Sequence, residues 1–98
     1  NWNNKVSDIV NLIRGLSPLP TAYTSLDGLS LKIFHAVAQP MNVEQPPGKI
    51  GRASSAGLPV AASDGYVILK DVQLAGKKRM LITDFLRGYH LKPGMIFK

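Results

Sequence analysis

Two Asp-Gly pairs constrain this chain more than anything else in it. Asp27-Gly28 and Asp64-Gly65 each stand between apolar runs with extended character. An Asp-Gly pair in that setting marks a tight hairpin, because both turn positions favour positive φ. Hairpins join antiparallel neighbours, so the middle of the chain predicts an antiparallel sheet rather than strands alternating with crossover helices. The run after the first turn alternates in the same sense. Leu29, Leu31, Ile33, His35 and Val37 point one way, and Ser30, Lys32, Phe34 and Ala36 the other. Residues 60–63 lead into the second turn and 66–70 lead out.

Only the beginning of the chain has helical period. Val6, Ile9, Val10, Ile13 and Leu16 form one stripe, with Lys5, Asn11 and Arg14 mostly on other faces. Asn3 or Asn4 can cap the start, and Pro18 sets the end. Residues 39–48 hold three prolines and a glycine and read as a loop. Short extended segments follow at 50–54, 72–74 and 79–82, with a turn at 55–57 and another at Gly76. Thr83 predicts the N-cap of a one-turn helix running to Arg87 and stopped by Gly88. Pro93-Gly94 is a turn before a last strand, 95–97. The fold class is therefore mainly β: a small antiparallel barrel with a leading α-helix and a short helix near the C-terminus.

Ninety-eight residues make one domain, able to bury enough surface to fold without a disulfide or metal staple. The chain has no cysteine, which excludes disulfides, thiolate catalysis and cysteine-ligated zinc and fits a reducing compartment. No apolar run approaches the ~20 residues of a membrane-spanning helix. The chain does not begin with Met, and Trp2 stands at its edge, where a large apolar side chain would fray at a true terminus. The expectation is a piece of a longer protein.

Residue chemistry gives little support for catalysis. His35 falls on the apolar side of its strand, where a core histidine with satisfied nitrogens is expected; His90 reads as exposed. No second histidine stands near either at ligand spacing, so no metal site is expected. Asp27 and Asp64 are turn residues, Asp84 suits the first turn of a short helix, and Glu44 is the only glutamate. No carboxylate pair and no phosphate-cradling glycine loop emerges.

Charge is the informative quantity. The formal net charge is +6, and the segment from Lys77 to Lys98 accounts for five of those charges, with six bases and one acid. Lys77, Lys78 and Arg79 stand in a row after the Gly76 turn. Adjacent cations repel, so the fold gains nothing by placing them together, and an anionic partner is the natural reading. A solvated face is the alternative. Aromatic residues are scattered singly and none interrupts the basic run, which predicts contact with phosphates and helix shape rather than base stacking.

RGLSPLPTAYT (residues 14–24), Pro47-Gly48, Asp64-Gly65, QLAGKKRM (73–80) and FLRG (85–88) occur in an order that resembles the C-terminal domain of methionyl-tRNA formyltransferases. Trp2, ahead of the leading helix, fits the same pattern. Departures from the better-known bacterial members are Gly15-Leu16-Ser17, where a small residue, an aromatic and Asn are usual, and Leu19, where tryptophan is common. The resemblance implies an OB-like barrel at residues 1–98, following a catalytic domain that uses 10-formyltetrahydrofolate in a cytoplasmic enzyme of translation initiation. It implies no cofactor and no catalytic residue in this segment. The barrel would help hold initiator methionyl-tRNA through Lys77, Lys78 and Arg79, with Arg14, Arg52, Arg87 and Lys92 as further candidates. Its partners would be that tRNA and the catalytic domain of the same chain, with no membrane and as a monomer. The alternative is the structural C-terminal domain of a formyltransferase acting on an amino-sugar nucleotide.

Overall fold

The structure, a computed structural model, describes residues 2–16, 22–26, 28–89, 91 and 95–97. Helix α1 (Val6–Leu16) leads into β1 (Ala22–Leu26), β2 (Leu29–Pro40), β3 (Leu58–Ala61), β4 (Gly65–Leu74), β5 (Met80–Leu81) and helix α2 (Ile82–Gly88). The expectations placed on Pro18, Leu19, Asp27, His90, Lys92, Pro93-Gly94 and Lys98 fall outside the described residues.

All strand pairings are antiparallel. β1 pairs β2, β2 pairs β4, and β3 and β5 occupy the other edge of β4 in succession. The ladder continues past β3. Gly48 N–H donates to the Ala61 carbonyl at 2.8 Å, and Phe97 N–H donates to the Gly48 carbonyl at 2.8 Å. The expected barrel is thus realised as a curled antiparallel half-barrel. Side chains span its open side. The Trp2 indole N–H donates to the Thr24 hydroxyl of β1 at 3.0 Å, and the Trp2 ring packs 6.2 Å from Phe97. Trp2 is therefore buried, not frayed.

The helical stripe of the sequence is the buried face of α1: Val6, Ile9, Val10 and Ile13 join Leu31, Ile33, Val67 and Leu69 in one core. The start of α1 is held from far away. Asp64 Oδ1 accepts the Val6 N–H at 2.8 Å, and Ser63 N–H donates to the Asn4 carbonyl at 2.9 Å. Asp64 thus does more than make a turn: it occupies one of the amide donors that a helix start leaves without an intrahelical partner. Gly65 also departs from the hairpin argument. Its φ is not positive; a Cβ there would lie 2.5 Å from the Gln39 carbonyl oxygen, so glycine is needed for close approach of two strands. The first hairpin follows its prediction, with Leu26 opposite Leu29 and Gly28 at φ 78°.

A bulge corrects the assignment of His35. The β2–β4 register is irregular between Ile33 and Ala36, where Phe34 and Lys70 have no direct partner. One extra residue inverts a period of two. Leu31 and Ile33 are buried as the alternation predicts, but beyond the bulge Ala36 is buried and His35 is exposed opposite Asp71. Helix α2 also begins earlier than expected. Ile82 is its first residue, Leu81 is its N-cap without a side-chain bond, and Thr83 lies inside the first turn. Ile82 and Phe85, three residues apart, are the side chains α2 buries, and packing them overrides the capping preference of Thr83.

Candidate nucleic-acid interface

The basic turn joins β4 to β5. Lys77 N–H donates to the Leu74 carbonyl at 2.9 Å, with Gly76 between them at φ 81°, a conformation that costs glycine little. The Gln73 side-chain amide donates to the Lys77 carbonyl at 2.9 Å. Gln73 is a β4 residue on the side of the sheet away from α1, so this bond folds the turn toward that outer face.

The three cations then divide. Arg79 turns back onto β4. Its Nε and Nη2 donate to Asp71 Oδ2 at 3.1 and 2.8 Å, and its guanidinium lies 4.2 Å above the centre of the Phe34 ring. The hydrogen bond to Asp71 raises the Arg79 pKa beyond its ordinary value, with the carboxylate charge adding to the rise and desolvation opposing it. Lys77 and Lys78 remain exposed, and neither takes part in the ion pairs of the described residues. All three side chains are exposed; of the three adjacent positive charges, one is matched by a carboxylate and two are not matched among the described residues.

The other described candidates stand on other elements. Arg14 is exposed in the last turn of α1, whose buried stripe covers the inner face of the sheet. Arg52 is exposed in the connection that precedes β3. Arg87 is exposed near the end of α2, 3.5 Å from Asp84. Lys92 lies outside the described residues.

The register brings up a residue that charge counting passed over. Lys32 of β2 stands between Tyr23 of β1 and Gln73 of β4. Ser30, Lys32, Gln73, Leu74, Ala75 and Gly76 line a cleft of about 220 Å³ beneath the turn. The Asp27-Gly28 hairpin carried this information. A two-residue turn pairs 26 with 29, and the same register pairs 23 with 32.

Among the described residues no three His, Asp or Glu side chains gather where a metal could bind. The cleft between α1 and β1 is about 270 Å³ and largely apolar, below the ~300–1,000 Å³ of typical small-molecule sites. The broader depression beside residues 40–44 carries Glu44 and Asp64 and no cation, which disfavours an anionic ligand.

Comparison of the sequence with known proteins places the chain in a family. The sequence model for the formyl transferase C-terminal domain matches residues 1–90. This chain belongs to that family. A methionyl-tRNA formyltransferase of Syntrophus aciditrophicus is 50% identical over 95 residues, covering 97% of this chain and 30% of that protein. Proteins of the same description from Geotalea uraniireducens and Staphylococcus aureus are 42% and 44% identical over 95 and 89 residues, covering 97% and 90% of this chain. The formyl transferase C-terminal domain described here spans about 30% of the length of these relatives. No described helix is long and apolar enough to cross a membrane.

Proposed function

We propose that this domain helps a methionyl-tRNA formyltransferase hold initiator methionyl-tRNA while a catalytic domain of the same chain, outside these residues, formylates the amino group. The observation that carries this reading is the turn at residues 74–77, which is hydrogen bonded at both ends and leaves Lys77 and Lys78 exposed, with no carboxylate partner among the described residues. A backbone held in this way presents ammonium groups at little further ordering cost. An ammonium binds phosphate as a point charge, contributing affinity and register without reading bases.

Arg79 has a different part. Its bonds to Asp71 and its seat on Phe34 fix the strand that leaves the turn, so it acts as a positioning residue for the two lysines. In this reading the formyl donor, 10-formyltetrahydrofolate, is bound by that catalytic domain.

A role in holding substrate is distinguished from a role in chemistry by kinetics. In the full parent enzyme, Lys77→Ala with Lys78→Ala raises KM for methionyl-tRNA and leaves kcat near its original value. Taking ~0.5–1 kcal/mol for each exposed charge pair, the rise is about five- to thirtyfold. An unchanged KM, or a fall confined to kcat, contradicts the reading. The same variant assayed on an amino-sugar nucleotide tests the alternative substrate, for which turnover with no dependence on these lysines is expected.

A further inference from the structure

The outer face of the sheet carries an aromatic residue beside this basic turn. Tyr23 is 72% exposed, the most open of the large hydrophobic side chains described. Within β1 its neighbours Thr24 and Leu26 are buried and Ser25 is exposed, so alternation puts Tyr23 on the exposed side of this edge strand, where it also borders the cleft between α1 and β1 beside Asp8 and Leu12. Lys32 is directly across from it, and Gln73 is directly across from Lys32. The row Tyr23, Lys32, Gln73 therefore runs over three adjacent strands, about 10 Å from end to end at the usual strand spacing. Gln73 is the residue whose amide holds the Lys77 carbonyl. An exposed ring, a cation beside it, a cleft and two exposed lysines thus follow one another on one surface.

The neighbouring aromatic is differently used. Phe34 is half-buried and its ring is covered by the Arg79 guanidinium. The charge run contains no aromatic residue, which is why the sequence suggests phosphate contact alone. The fold supplies the ring from a strand some fifty positions away.

We infer that Tyr23 is a stacking platform for an unpaired nucleobase, with Lys32 receiving a phosphate of the same strand, so that the RNA surface extends from the basic turn across the outer sheet. Stacking on a ring is tolerant of base identity, because every base has a π-face. The inferred ligand is a single-stranded or looped RNA segment adjoining the helix whose phosphates meet Lys77 and Lys78. This inference rests on the reading of those lysines as phosphate contacts and adds a contact of another physical kind.

The test separates base from phosphate. The full parent chain is titrated with a short oligouridylate and with an abasic ribose-phosphate strand of the same length, at two salt concentrations. The original protein is expected to prefer the strand with bases by roughly five- to a hundredfold, the range of one stacked base. Tyr23→Ala abolishes that preference and leaves binding of the abasic strand and the salt slope unchanged; Tyr23→Phe retains it. Lys32→Ala flattens the salt slope on both strands. Equal binding of the two strands by the original protein overturns the platform, as does a preference that survives Tyr23→Ala. A Tyr23→Ala protein that weakens on both strands alike shows a structural role instead. None of these results depends on Lys77 and Lys78, whose failure would appear as an unchanged tRNA salt slope in their own double variant.

Discussion

Asp71 decides how much of the basic triplet's charge is left unmatched. One of its oxygens takes both hydrogen bonds from Arg79, and the other is buried with no hydrogen-bond partner among the described residues. A carboxylate so placed has lost part of its hydration, and Arg79 is the described partner that offsets the loss. Because hydrogen bonding raises the Arg79 pKa, the stabilisation is complete below the ordinary guanidinium value and fades only as pH rises through the raised one. On the arginine side the clamp therefore does not titrate near neutral pH. Its charge can instead be released by mutation. Asp71→Asn removes the matching carboxylate, and the salt dependence of tRNA binding by the parent enzyme should steepen by about 0.7–0.9 log units per log unit of salt, the contribution of one added phosphate contact. A slope that stays the same or becomes shallower shows that Arg79 cannot reach phosphate even when released.

The Asp64-Gly65 pair is a lesson at the scale of elements. The pair is visible as a turn in the sequence, and the turn is there, but each residue serves a second need that no local pattern encodes. Asp64 caps α1 from 58 positions away, and Gly65 lets β4 approach the end of β2. Asp64→Ala should lower the unfolding free energy by about 1 kcal/mol, as for loss of a helix N-cap, measured by urea denaturation. Gly65→Ala should cost more, ~1–3 kcal/mol, because strand backbones must separate to admit a methyl group. Equal and negligible effects would reduce both residues to turn formers. The helical stripe, the first hairpin and the basic turn were legible because each is set by neighbours within a few residues. The bulge at Phe34 was not legible. It arises from pairing with β4, and it moved His35 from the expected core position to the surface. The platform at Tyr23 was half legible: its partner Lys32 follows from the hairpin register, while its exposure depends on which face α1 covers.

The whole molecule is a half-barrel whose open side is bridged by side chains. The last described strand segment, the first residues and β1 are joined through Phe97, Trp2 and Thr24. Trp2→Phe keeps most of the buried ring but deletes the indole donor, leaving the buried Thr24 hydroxyl without that bond. A loss of ~1–3 kcal/mol is expected on thermal or urea unfolding. Trp2 is the only tryptophan, so its emission in the original protein should shift to longer wavelength as this closure opens. The proposed function rests on a simpler quantity, the number of cations the folded domain would present to phosphate. The most direct measurement is the salt dependence of initiator methionyl-tRNA binding by the full parent enzyme, before and after Lys77→Ala with Lys78→Ala. Two exposed lysines predict a slope flatter by about 1.4–1.8 log units, whereas Arg79→Ala alone should change it by less than one lysine's share. A slope unaltered by the lysine pair would contradict the assignment of this turn to the tRNA.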